Sequence, residues 1–184
     1  MKDLLRSNWR LAVLFILLAV LVSFPFPFYE RSWHKFMHIF GAMLFLGNIV
    51  VTAVWMILAA MTNQRAVIHF AAKAVTQADL VFTIPGVLLI LINGVTLAPA
   101  FGDGDVLGAS WVVAALGLLT LSGVIWLVFL LRYQAQMIAV SGAGVWRSDD
   151  FKRVFLKWGI WGGIGTILPI ISLVLMVFKP TLWE

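Results

Sequence analysis

Cysteine is absent from the 184 residues, which removes disulfides, thiolate metal sites, cysteine nucleophiles and thioether-linked haem together. Charge is nearly as scarce: 11% of residues are charged and 62% are hydrophobic, against roughly 25% and 45–50% in water-soluble domains. A fold in water has no means of covering that much apolar surface, so the solvent is lipid. Any cofactor is then held without a covalent link. The chain also lacks a phosphate-cradling glycine loop, a Ser/His/Asp set at plausible spacing and a pair of carboxylates at one depth, so no catalytic residues are assigned. The formal charge of +5 does not point to nucleic acid, because the basic residues lie between the apolar runs, where membrane topology places them.

Apolar runs occupy about residues 11–28, 36–61, 80–100, 109–131 and 158–178, each near the roughly 20 residues that cross a bilayer as helix. Five spans in a single domain are expected, the first an uncleaved signal anchor. Lys2, Arg6, Arg10, Arg65, Lys73, Arg132, Arg147, Lys152, Arg153 and Lys157 fall in the tail and in the 62–77 and 132–157 loops, leaving Arg31, Lys35 and Lys179 for the other side. The positive-inside rule then predicts a cytoplasmic amino terminus and an outer carboxyl terminus. The expected location is the bacterial cytoplasmic (inner) membrane. Trp33, Trp111 and Trp183 are expected at the outer interface, and Trp9, Trp146 and Trp158 at the inner one.

Polar residues inside lipid normally face protein, so their spacing locates the interior. His34, His38, Gly41, Phe45, Asn48, Thr52 and Trp55 form one helical stripe on the second span, and Asp79, Thr83, Gly86 and Asn93 form one on the third. Pro85 predicts a kink beside the second stripe. On the fifth span Gly159 and Gly163 have the small-xxx-small spacing that admits a close neighbouring backbone, in this chain, in a second copy of it as a homo-oligomer, or in a membrane complex partner. The first span has no polar residue from Leu11 to Val22. The expected fold is an all-α membrane protein: a four-helix transmembrane bundle of spans two to five plus one peripheral helix. Gly142 and Gly144 mark a break, after which Ser148, Asp149 and Asp150 begin the helix that runs into the fifth span.

His38 lies one turn, about 6 Å, deeper than His34. The pair suits a haem ligand, a metal site or a proton relay, or else an interfacial residue and a helix–helix hydrogen bonder. Metal other than haem iron is disfavoured, since no nearby intramembrane carboxylate or thiolate completes a site. His69 sits on the opposite side of the membrane, so a sixth ligand to iron at His38 would come from Met43, Met176 or Lys179. Asp79 reads either as part of a capping box, Thr76-Gln77-Ala78-Asp79, or as a buried ionisable group serving proton or solute movement. Asn48 and Asn93 are expected to bond to each other or to a cofactor substituent.

The elements Trp33-His34-Lys35-Phe36-Met37-His38-Ile39-Phe40-Gly41, Gly47-Asn48, Trp55, Ala78-Asp79, Phe82-Thr83-Ile84-Pro85-Gly86 and Asn93-Gly94 resemble the bacterial predicted integral membrane proteins of domain-of-unknown-function family 2269, over residues 33–140. The Lys35-Phe36-Met37-His38-Ile39 start of the second span, with a glycine some nine residues on, is also similar to the opening helix of HemJ-type protoporphyrinogen oxidases and CopD-type copper-resistance domains. That second likeness implies His38 as a haem ligand with Lys35 beside it. The favoured expectation is a protein that binds b-type haem or porphyrin in the outer half of the bundle through His38, with His34 and Asn48 around it, for redox or porphyrin handling. The alternatives are a small transporter or channel with a polar path through Asp79, Thr83, Asn93 and Asn48, and an accessory subunit that packs through its glycine-rich fifth helix.

Overall fold

A backbone in lipid must satisfy its own hydrogen bonds, and the regular elements among the described residues are accordingly helical. The computed structural model describes residues 2–24, 30–142 and 146–183. Among these residues five helices form: α1 (Lys2–Ser23), α2 (Arg31–Met61), α3 (Arg65–Phe101), α4 (Ser110–Gly142) and α5 (Ser148–Phe178). Helices α2 to α5 are each long and apolar enough to cross a membrane, and α1 carries a shorter apolar stretch, Trp9–Ser23. Of the expected first span, Pro25 to Phe28 lie outside the described residues, as does Gly144.

The 62–77 and 132–157 segments, expected as loops, are mostly helix. Ile68, Ala71, Ala72 and Val75 are buried along one face of α3, while Arg65 and Lys73 are not. These residues join Met56, Met137, Phe151 and Trp158 in the main apolar core, at the end where the basic residues gather. Trp158 is buried in this core, and Trp111 is buried in a separate cluster with Ala98, Ala109 and Val112. Trp55 departs from its stripe in the other direction, being 54% exposed, while its neighbour Met56 is fully buried. At about 100° per residue, position 55 has rotated roughly 60° off the face defined by His34, and position 56 lies nearer to it.

Helices α3 and α4 are each interrupted by one π-turn, at Asp79–Thr83 and Trp126–Leu130. There the Ile84 N–H donates to Asp79 O and the Leu131 N–H to Trp126 O, five residues back. Pro85 has no N–H to donate, and the irregularity expected beside it takes the form of the first π-turn. Because the helix runs straight through residue 79, no capping box forms at Thr76–Asp79; the Thr76 hydroxyl donates instead to Ala72 O at 2.9 Å. At the start of α5, Asp149 and Asp150 occupy the first turn with no side-chain cap.

The helices pack as two pairs, α2 with the second half of α3 and α4 with α5. Gly41 and Gly86 close the first seam: a Cβ on Gly41 would lie 2.7 Å from Leu89 Cβ and 2.8 Å from Gly86 O. The close approach expected at Gly159 and Gly163 does not occur, since nothing lies within 4 Å of a Cβ built on either. In the second pair Pro169 leaves the Gly165 carbonyl without its helical donor, and the Ser122 hydroxyl of α4 donates to it at 2.7 Å. Below this, the pairs meet in the basic-end core; at the opposite end they meet through Ala98, Ala109, Trp111 and Val112. Helix α1 lies outside the four, against α3, with Ala19 packed on Met37 and Leu89.

Candidate functional site

The sequence stripes on α2 and α3 do face one another, but they resolve into separate clusters. The first is built on Asp79, which is 6% exposed and sits at the head of the α3 π-turn. Its Oδ1 accepts from Asn48 Nδ2 at 3.0 Å and from Thr83 Oγ1 at 3.2 Å. Its Oδ2 accepts from Gln134 Nε2 at 2.7 Å and from Trp126 Nε1 at 3.3 Å. Asn48 Nδ2 also donates to Thr83 Oγ1 at 2.9 Å. A carboxylate offers about four lone-pair sites, and here four neutral donors from three helices fill them, with no ion pair to Asp79 among the described residues. The two π-turns supply Asp79, Thr83 and Trp126, in keeping with the tendency of single π-turns to mark functional positions.

The second cluster lies towards the opposite end. His34 Nδ1 donates to Asn93 Oδ1 at 2.8 Å, and Asn93 Nδ2 donates to Ser23 Oγ of α1 at 3.0 Å and to Leu89 O at 2.9 Å. Asn93 is fully buried. This network explains how a helix with an apolar span is tied to the bundle: the buried Ser23 hydroxyl at the span's end completes a polar contact that lipid cannot make. His38 stands apart from both clusters, with Nδ1 donating to Ile90 O at 2.9 Å and its ring against Gly94. Asn48 and Asn93, expected to pair, belong to different clusters. Between them the Gly41–Gly86 seam brings backbone against backbone, so the four residues expected to line one polar path do not form one.

A cavity of about 920 Å³ lies between the two helix pairs. Asp79, Thr83, Gln134, Trp126 and Trp158 are in its wall, as are Gly159, Gly162 and Gly163. The apolar residues around it include Val50, Val54, Leu127, Leu156 and Ile160, each about half exposed or more. Its mouth therefore opens sideways through the apolar surface of the bundle, with both ends shut by packed side chains. Among the described residues, Gln134 Oε1 and Trp158 Nε1 of this wall have no hydrogen-bond partner. A large apolar cavity with a few convergent polar groups is the usual form of a small-molecule site.

His34 and His38 do not line this cavity. The three residues expected around one porphyrin are thus divided: His34 is engaged with Asn93, Asn48 with Asp79 and Thr83, and His38 with Ile90. A haem at His38 would rest on that residue alone.

Gln134, Trp126 and Ser122 are not singled out by the sequence, and Trp158 is expected there only as an interfacial residue. Gln134 falls in the 132–157 segment expected as a loop; the signal present is the spacing of Gln134, Met137 and Ser141, all buried on one face of α4. At the basic end a further contact joins α3 to α4, where His69 Nδ1 donates to Ser141 Oγ at 2.9 Å and Arg65 Nε to Ser141 O at 2.7 Å.

No curated protein and no solved structure matches this chain. The profile of one family, described as predicted integral membrane protein (DUF2269), matches residues 33–180, a stretch that begins beside His34 and runs through every helix that contributes to the cavity. The chain belongs to this family of integral membrane proteins.

Proposed function

We propose that the protein binds a lipophilic small molecule, drawn from the bilayer into the cavity between the two helix pairs, and serves as a small carrier or receptor for it in the cytoplasmic membrane. The observation that supports this most is the placement of a buried carboxylate cluster in the wall of a side-opening apolar cavity. Intramembrane ionisable groups are costly and usually mark substrate or ion pathways. Gly159, Gly162 and Gly163 of α5 add to the case, because they leave room in the cavity wall that any side chain would take up. Saturable quenching of the wall tryptophans by a brominated alkyl compound tests the reading. Wild-type protein in nanodiscs should show a saturable component that Gly163→Leu removes by filling the cavity. Quenching that rises linearly with the compound's lipid concentration in wild type would overturn it. A partner helix seated on Gly159 and Gly163 would block the same mouth, so partner and ligand would compete.

A second reading rests on His38. Donation from Nδ1 to Ile90 O leaves Nε2 as the basic nitrogen, the arrangement that orients iron-ligating imidazoles. A b-type haem bound there gives a Soret band that His38→Ala abolishes and His69→Ala leaves intact. Absence of that band from protein made with ample haem would end this reading.

A further inference from the structure

We infer that the head of the bound molecule is a protonated amine, so that the ligand class is a hydrophobic primary or secondary ammonium ion with an alkyl or aryl tail. The inference rests on the cavity being a ligand site, as proposed above, and adds the chemistry of its polar wall. Both Asp79 oxygens accept from N–H groups that have no acceptor capacity, the hydrogen-bond pattern of a carboxylate rather than a carboxylic acid, and no ion pair among the described residues offsets the charge of that form. Its lone-pair sites are filled by Asn48, Thr83, Trp126 and Gln134, so it acts on a ligand through its field rather than through a direct hydrogen bond. The acceptor left open is next to it: Gln134 spends its amide N–H on Asp79, while Gln134 Oε1, in a residue 1% exposed, accepts nothing. A ligand N–H donated to Gln134 Oε1 satisfies that oxygen and brings its positive charge within one side chain of Asp79. Trp126 and Trp158 line the same wall, and an indole face within about 6 Å of the ammonium would attract it further.

A neutral alcohol of the same tail would also donate to Gln134, but it would gain nothing from the carboxylate. At an effective dielectric near 20, attraction between unit charges roughly 8 Å apart corresponds to about a thirtyfold preference. Desolvation of the ammonium offsets part of this, leaving an expected preference of about tenfold.

The test uses the full chain in phosphatidylcholine nanodiscs at pH 7 and two diazirine-bearing probes of equal chain length, one a primary amine and one an alcohol. Labelling of cavity peptides is mapped by mass spectrometry and normalised to labelling of α1. The amine should label the peptides around Trp126 and Trp158 about tenfold more readily than the alcohol, and Asp79→Asn should bring the two probes level. Should that variant fold poorly, Gln134→Leu serves in its place, and the comparison of probes on wild type needs no variant. Equal labelling of the cavity by both probes overturns the ammonium assignment while leaving the cavity reading intact. Labelling of the cavity by neither probe overturns the cavity reading itself.

Discussion

Substituting Gly41 by alanine separates this packing from the one that glycine spacing alone suggests. The new methyl would lie 2.7 Å from Leu89 Cβ, 2.8 Å from Gly86 O and 3.0 Å from Ile90 N. Two of these three are backbone atoms that cannot swing aside, so α2 and α3 must separate by roughly half an ångström, enough to forfeit a quarter or more of each dispersion contact along the seam. The same movement lengthens the Asn48–Thr83 and His38–Ile90 hydrogen bonds, each now 2.9 Å. Overpacking of this kind costs about 1–3 kcal/mol. For a chain of this length that corresponds to a fall in Tm of about 4–8 °C at the middle of the range. Gly163→Ala is the control, since nothing lies within 4 Å of its added carbon, and its Tm should stay level or rise slightly through helix propensity. Thermal unfolding of both variants in one mild detergent, followed by tryptophan emission, gives the comparison. The reasoning fails if Gly41→Ala melts with wild type, or if Gly163→Ala loses as much.

Ser122→Ala leaves the Gly165 carbonyl beside Pro169 without a donor and should cost about 1–2 kcal/mol; restoring the helical donor with Pro169→Ala should recover most of it, and a double-mutant cycle by thermal unfolding reads the coupling. Asp79→Leu strands four donors and should destabilise by about 3–5 kcal/mol, well beyond Asp79→Asn, which keeps an acceptor; a reversed order of Tm values would refute the arrangement of donors. Asn93→Leu breaks the bond to Ser23 and should make α1 more open to limited proteolysis while α2 to α5 stay intact. Reporter fusions after Arg65 and Arg147 should register the cytoplasm and a fusion after Asp103 the outside, as the distribution of basic residues requires.

The stripes on α2 and α3 were legible because helical spacing and the cost of polar groups in lipid act together: Asp79, Thr83, Gly86 and Asn93 are all buried as their period implied. What the stripes could not supply was the partner of each residue. Asn48 and Asn93 are equivalent by composition, yet the rotation and rise of two packed helices give one to Asp79 and the other to His34. The extension of α3 to Arg65 was hidden by its charges, although Ile68, Ala71, Ala72 and Val75 repeat at helical spacing and a helix leaving the bilayer can carry charge on its free face. The π-turns had no signature beyond Pro85, and they set which way Asp79 and Trp126 are directed. Small-xxx-small spacing identified glycines able to admit a neighbour, but whether a neighbour is present depends on tilt, and the contact fell to Gly41 and Gly86 instead.

The sideways mouth of the cavity changes which concentration governs occupancy. With the basic-end core and the Trp111 cluster closing its ends, a molecule reaches Asp79 from the lipid, where its abundance is set by partitioning. Each methylene favours the bilayer by about 0.8 kcal/mol, so a tail of only five or six carbons enriches a compound there about a thousandfold over water. A site of millimolar intrinsic strength in lipid then fills at micromolar aqueous levels, and lengthening the tail raises apparent affinity without any new contact to the protein.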